Sequence, residues 1–432
     1  MNYNTLSPTE KSVKKLQNFS KGHFKTDSEV YNIAVINSMT CANQQTLISR
    51  VVSGMEQANA RPSKFYIRPF GYMNKVNPAT AKYGQSYKSV VASNTEAIIK
   101  INRIDGVIVV SDCEIATAGI ISGCLKVNCP MLVLPTGINT NFNNDFLKLN
   151  GRALAESLDL EETLVNANVS VTGVQENSST HTFFMALESM GLSLKSATKN
   201  HTSGKQHEIA FKTGKKIADF AKDIQSPKRL LTKDAFQTAC KQVLQNGIGI
   251  GGLMHIIPLL IQNGNKVSHD FFTDIAKKLP NNQLVLVRGS ACEDGGYALA
   301  GENLNFTGKA WTYHSLEDAD RAIAGGAIQE GVIVLLNCAH QDVSSIAYTI
   351  QGMNKQNQIA VITDGICDSK DVLCISNCRP TANKNGDLAN IQTGDVIEID
   401  LAKGRLNTSI SSKDMKARAK RNSVKEQVNY FA

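Results

Sequence analysis

Along the first half of the chain, apolar runs rich in Val and Ile alternate with stretches whose apolar residues recur at helical spacing. "YNIAVINS" predicts a strand, "NQQTLISRVVSGMEQANA" a helix and "SKFYIRPFG" a second strand. A helix over "SYKSVVASNTEAIIKIN", a strand "DGVIVVS", a helix "TAGIISGCLKVN" and a strand "CPMLVLPTG" continue the series, and "NVSVTG" with "THTFFMALESMG" adds a further strand-then-helix unit. This is the rhythm of a parallel sheet covered by helices. From about residue 284 the pattern changes to short β-rich runs such as "QLVLVRGSA", "GVIVLLNCA", "QIAVITDG" and "GDVIEIDL", broken by Gly and Asp turns and brief helices such as "SLEDADRAIAGG". The boundaries expected are therefore 1–283 for a parallel α/β domain and 284–432 for a β-rich domain.

Composition narrows the classes. With 432 residues, 42% hydrophobic and 6% aromatic, the chain can bury a sizeable core and is long enough for two domains. No apolar run approaches the roughly 20 residues of a membrane span, and the first residues lack the apolar core of a secretory signal, so a cytoplasmic protein without membrane contact is expected. The ten cysteines are scattered, as expected of small buried hydrophobes in a reducing compartment. The net charge of +8 is spread out, although "SSKDMKARAKRNSVKEQ" forms a basic helix-prone tail. A solvated helix face is its expected meaning, and nucleic acid is not an expected partner.

In an open parallel sheet, ligands bind beyond the carboxyl ends of the strands, where loops enter helices. Four such ends are "NSMTCANQ" with Cys41, "RPFGYMN" with Phe70 and Gly71, "VSDCEIA" with Cys113, and "VTGVQENSS" with Val174. Two carry a cysteine in the same topological place, which leaves a metal role and an inert structural role both open. Thiolate clusters need three or four convergent soft ligands. Cys124 and Cys129 are expected to point into packing, and Cys367, Cys374 and Cys378 have no recognised ligand spacing. "GIGIGG" follows a helical pattern rather than a strand, so it reads as a helix stop leading into the tightly packed "LMHIIPLL", with His255 a core histidine, and not as a phosphate-cradling loop.

Colinear segments carry a resemblance. "VVSDCEIATAGIISGCLKVNCPMLVLPTG", "ALESMGLSL", "LVRGSACEDGG", "FTGKAWTYHSLEDADRAIAGGAIQEGVIVLL" and "AVITDG" followed by "GDVIEIDLAKGRLNTSIS" are similar, in order, to segments of the dihydroxy-acid and phosphogluconate dehydratases. A segment of full-length members has no counterpart between "KKLPNNQ" and "LVLVRG". The fold class expected is thus α/β, an N-terminal three-layer parallel-sheet domain plus a C-terminal β-rich domain that is barrel-like and swivelling.

The resemblance implies a carbon–oxygen lyase of the hydro-lyase type. In that family an iron–sulfur cluster on three cysteines takes the leaving hydroxyl, and magnesium held by carboxylates and a carbamylated lysine positions the hydroxy acid. A serine takes the α-proton, and members are typically dimeric. Transferred residue by residue, Cys41 and Cys113 fall on two cluster cysteines, while the third position is Val174. A magnesium aspartate falls near Phe70, its neighbour beside the second cysteine becomes Glu114, and the lysine becomes Ile115. Asp342 is the only acid in the stretch matching the family's glutamate, and Ser369 is a gapped match to the serine, with Asp368 competing for the place.

Removing one charge-stabilising group commonly costs about 3 kcal/mol of transition-state stabilisation, and several are replaced here. The expected function is therefore a divergent dehydratase-family protein with an eroded iron–sulfur and magnesium site, a pseudoenzyme candidate. It would bind a small hydroxy acid, or support a partner as a homodimer or beside a relative. Two alternatives are an active hydro-lyase, with Cys41, Cys113, Glu114 and Asp342 or His340 around a different metal, and an interaction protein using the basic tail.

Overall fold

The computed structural model describes residues 30–39, 45–71, 77–139, 174–175, 178–199, 201–223, 226–245, 250–267, 284–299, 305–339, 341–369, 371–382 and 386–429, with positions 74, 149, 153, 156, 158–159 and 162–163 between them. Cys41, His340, the whole of "NVSVTG" and the first three residues of "GIGIGG" lie outside the described residues.

Strands β1 (Tyr31–Ser38), β2 (Ala60–Tyr66), β3 (Gly106–Ser111) and β4 (Met131–Pro135) form one parallel sheet in the order β2-β1-β3-β4. Because side chains alternate along a strand, the continuous apolar runs split into two faces. Ile33, Val35, Ile108, Val110, Leu132 and Leu134 enter one core with helices α1 (Gln45–Gln57) and α5 (Ser203–Lys222). Their neighbours Ala34, Ile36, Val107, Val109, Met131 and Val133 enter a second core on the opposite face. Helices α2 (Gly84–Asn102), α3 (Glu114–Val127), α4 (Ser179–Ser189) and α6 (Lys233–Gln245) cover that face. The result is the three-layer α/β arrangement expected. A two-stranded parallel pair, β5 (Ile138–Asn139) with β6 (Val174–Gln175), extends it beyond β4.

The later residues close into a barrel. Strands β7 (Leu284–Gly289), β8 (Cys292–Leu299), β9 (Asn305–Tyr313), β10 (Gly331–Leu335), β11 (Ile359–Thr363), β12 (Cys374–Arg379), β13 (Val396–Asp400) and β14 (Arg405–Thr408) run in the order β10-β11-β12-β8-β7-β14-β13-β9. Val332, Val334, Ala360 and Ile362 fill the interior. Ile333, Leu335, Ile359 and Val361 point outward beneath helices α7 (Leu316–Ala324) and α8 (Ser345–Gly352). Strands β9, β10, β11 and β12 are therefore parallel to one another and need helical crossovers, whereas β13, β14, β7 and β8 include hairpins.

The basic tail forms helix α9 (Ser412–Asn429). Its first turns are mostly exposed, but Met415 is buried, Arg418 makes a bidentate pair with Asp395, and Asn422 donates to the Ala389 carbonyl. Residues 415, 418 and 422 share one helix face, and that face docks on the barrel.

The two halves are joined internally. Leu284, Tyr297 and Ile366 of the barrel half belong to the same apolar core as Phe183, Leu253 and Leu260 of the α/β half. Asp368 adds a polar tie, with its Oδ2 accepting from the Gly251 amide at 2.9 Å. Residue 252 must be glycine here for lack of room, and residue 251 has little to spare. A Cβ at Gly252 would meet the Ser179 carbonyl oxygen at 2.1 Å, and one at Gly251 would meet Asp368 Oδ2 at 3.1 Å. Leu253, Ile256, Leu259 and Leu260 beyond them are buried, as expected for a packed segment.

A candidate ligand crevice between the domains

Strand β3 ends at Ser111, and the chain enters α3 through Cys113. Its backbone is extended (φ −124°, ψ 113°), and its Sγ accepts the Ala116 amide hydrogen at 3.4 Å, so the thiol is the N-cap of the helix. The same Sγ lies 3.3 Å from the Phe70 carbonyl oxygen, to which the thiol donates. Ser111 Oγ fixes the turn by accepting from the Cys113 amide at 3.0 Å and donating to the Ser38 carbonyl at 2.9 Å. Burial pushes the Cys113 thiol up to about 12, and the neighbouring Glu114 carboxylate adds to the effect. With its Sγ engaged on both sides, the thiol serves as the cap of α3.

Glu114 is buried in the first turn of α3 and accepts from Thr180 Oγ1 at 2.6 Å, which ties α3 to the start of α4. Ile115, one residue on, packs with Cys113, Ala116, Phe70 and Tyr87. The Phe70 and Tyr87 rings lie 5.5 Å apart, tilted by 42°. Val174 is fully buried and belongs to the large core beneath the sheet, a different apolar cluster from that of Cys113.

Phe70, Ala81, Gly84, Gln85, Lys88 and Ile115 from the α/β half, with His255, face Gln341 and Asp342 from the barrel half across a narrow crevice. It lies beyond the carboxyl ends of the strands, where ligands bind in sheets of this kind. Asp342 is buried at the head of α8, with its Oδ1 accepting the Ser344 amide at 3.0 Å. His255 is buried with its ring edge-on to Phe183 at 6.3 Å, a core histidine that also lines the crevice.

Sequence reasoning named Phe70, Ile115 and Asp342 from three separate stretches, and the structure brings them together on this wall. Cys113 sits directly behind it. Ser369 does not line the crevice. Its Oγ accepts the Val372 amide at 3.1 Å, and the adjacent Asp368 spans the domain junction.

Sequence reasoning missed Lys88. Gly84, Lys88, Val91, Thr95 and Ile99 follow one another at intervals of three and four, so the lysine occupies a position on the buried stripe of α2. A charged residue within an apolar stripe was the signal that could have found it. The backbone is brought there by a close helix crossing. A Cβ at Gly119 of α3 would stand 2.8 Å from both the Lys88 carbonyl oxygen and Val91.

Among the described residues, the positions that the resemblance assigns to the magnesium aspartate, the carbamylated lysine and the third cluster cysteine carry no such donors, and Cys41 lies outside those residues. A hard divalent cation needs several oxygen ligands, and a cluster needs convergent thiolates. Here Phe70 and Ile115 present hydrocarbon, Val174 is an apolar core residue and the Cys113 thiol caps α3. Among the described residues no three His, Cys, Asp or Glu side chains converge in a way that could hold a metal ion.

Fold and crevice define a class: a parallel α/β domain joined to a closed barrel, with a cleft at their junction. The chain belongs to the dihydroxy-acid/6-phosphogluconate dehydratase family, whose N-terminal model matches residues 31–287 and whose C-terminal model matches residues 277–432. It is similar to the dihydroxy-acid dehydratase of Thermodesulfovibrio yellowstonii, 21% identical over 78% of each chain. It is also similar to that of Methanococcus vannielii, 22% identical over 92% of this chain and 90% of the relative. That second alignment runs over 497 positions against 432 residues here, so the relative carries segments this chain lacks. No helix among the described residues is long and apolar enough to cross a membrane.

Proposed function

We propose that this chain is a divergent dehydratase-family protein that binds a small organic acid in the interdomain crevice and does not carry out metal-dependent dehydration of dihydroxy acids. The observation that supports this most is the wall itself. At the positions where the family resemblance implies a magnesium aspartate and a carbamylated lysine, Phe70 and Ile115 line the crevice with hydrocarbon. Hydroxide is a poor leaving group, and without a bound cation to take its charge the dehydration has no electrophile.

The second reading, a hydro-lyase with a remodelled metal site, is favoured by the activity named for the relatives, each of which is a dihydroxy-acid dehydratase. Protein purified without oxygen separates the two. Less than a tenth of an equivalent of iron, with no turnover of 2,3-dihydroxy-3-methylbutanoate to the 2-oxo acid in the presence of magnesium, is the result expected. Stoichiometric iron or measurable turnover would overturn the proposal and support the second reading. A cytoplasmic, homodimeric protein, or one associated with a full-length relative, is the setting proposed with it.

A further inference from the structure

Two cysteines of the barrel half stand in contact, and the small-acid reading uses neither. Cys367 follows β11 and Cys374 opens β12, and the Cys367 thiol donates to the Cys374 sulfur at 3.1 Å. A disulfide bond is only about 1 Å shorter. Both residues are buried in the core between the barrel wall and helices α7 and α8.

The contact is built in by the strand. Residues two apart on a strand share a face, so Ser376 stands beside Cys374 and reaches the same partner. The Cys367 amide donates to Ser376 Oγ at 2.9 Å, and that hydroxyl donates back to the Cys367 carbonyl oxygen. With its main chain clamped in this way, Cys367 holds its thiol against Cys374. The loop between the two cysteines belongs to the domain junction. Its Asp368 amide donates to Ser344 Oγ at 2.9 Å, and the Asp368 carboxylate accepts from Gly251.

We infer that Cys367 and Cys374 form an oxidative modification site, which a peroxide converts to a reversible disulfide that ties this loop to β12. The inference is independent of the small-acid reading. Cys374 attacks one peroxide oxygen, so that an S–O bond forms, the O–O bond breaks and the hydroxide released leaves as water with the thiol proton. Cys367 then attacks the Cys374 sulfenic acid. An S–S bond forms, the S–O bond breaks, and hydroxide carries the second thiol proton away as water. Two electrons pass from the sulfur pair to the peroxide. The hydrogen bond sets this order, because the bond to Cys374, then burial and the Asp342 and Asp368 carboxylates, hold the proton on Cys367. Peroxide is small and uncharged, so it enters a buried site that excludes a bulkier alkylating reagent. The other thiol pair of the barrel, Cys292 with Cys378, faces the closed interior, and the wall stands between it and an oxidant.

The test is peptide mapping of the full chain, reduced, freed of reductant, exposed to hydrogen peroxide and then unfolded in urea with N-ethylmaleimide. Trypsin places Cys367 on residues 356–370, Cys374 with Cys378 on 371–384, and Cys292 on 289–309. The product expected is 356–370 joined to 371–384, with free thiol at Cys367 and Cys374 lost together and restored by dithiothreitol. The link should persist in Cys378→Ser and vanish in Cys367→Ser and in Cys374→Ser. The thermal midpoint of wild type should rise on oxidation, because a link between groups already in contact restricts the unfolded chain more than it disturbs the folded one.

Mapping of wild type decides the question even where a variant folds poorly. Thiols that stay free under peroxide, oxygen added to either cysteine without a link, or a link from 289–309 in place of 356–370 overturns the inference. A link that survives Cys374→Ser, or a midpoint that falls on oxidation, does the same.

Discussion

The Cys113 thiol donates to the Phe70 carbonyl at 3.3 Å while accepting the Ala116 amide at 3.4 Å, so one side chain both caps α3 and pins the loop after β2. Serine offers the same donor and acceptor with a stronger acceptor oxygen. Cys113→Ser should leave the urea midpoint close to wild type, and Cys113→Ala should cost about 1 kcal/mol. A protonated thiol is also a poor nucleophile, so Cys113 should resist alkylation by iodoacetamide at pH 8 in the native protein and react readily in urea.

Close approach of α2 and α3 depends on Gly119. A side chain there must displace the Lys88 carbonyl or Val91, and backbone yields little. Gly119→Val should destabilise by about 1–3 kcal/mol. It should also weaken acid binding, because it shifts the helix that lines one side of the crevice. Thermal unfolding and ligand titration of one sample measure the two effects separately.

Asp320 is buried between the barrel and its outer helices, with the Thr349 hydroxyl nearby but no well-formed hydrogen bond to either carboxylate oxygen. Desolvation raises it to about 7 from an ordinary value of 3.8. The native state keeps this proton at pH values where the unfolded chain has released it. Its contribution to stability is therefore full below pH 3.8 and declines until pH 7, where the native carboxyl also ionises. Asp320→Asn should flatten that part of the stability profile and raise stability at pH 7.5 by about 1–3 kcal/mol, as expected when a buried, uncompensated charge is removed.

Arg418 and Asp395 form a fork-to-fork pair with both side chains largely shielded, at 17% and 14% exposure. Shielding and two parallel bonds place it above an ordinary surface pair. Arg418→Met should cost about 1–2 kcal/mol and release α9, which limited proteolysis would register as early cleavage after Lys413 or Lys416. A purely solvated tail would show neither effect.

The sheet and barrel were legible in the sequence because burial on both faces writes itself as unbroken apolar runs, as in "GVIVVS" and "GVIVL", and because the colinear family segments supplied the order. The family resemblance also singled out Phe70, Ile115 and Asp342, which the structure brings to one wall. Other features depend on distances that no local pattern encodes. Cys113 as a cap is set by where the Phe70 carbonyl lies, and the tie from Asp368 to Gly251 joins residues 117 positions apart. Lys88 was hidden for a different reason: in a helix rich in Ser, Lys and Asn, one more lysine resembles a solvated face until the stripe from Gly84 to Ile99 is traced.

Tyr297 emerges from the barrel wall to complete the hydrophobic interior of the other half, in company with Leu284 and Ile366. Neither half therefore owns a finished interior. A barrel made alone would hold out a tyrosine ring and two aliphatic side chains to water, and the α/β half made alone would carry the matching hollow. Melting of the intact protein should accordingly be a single cooperative event, and a substitution in one half should be felt as lost stability in the other.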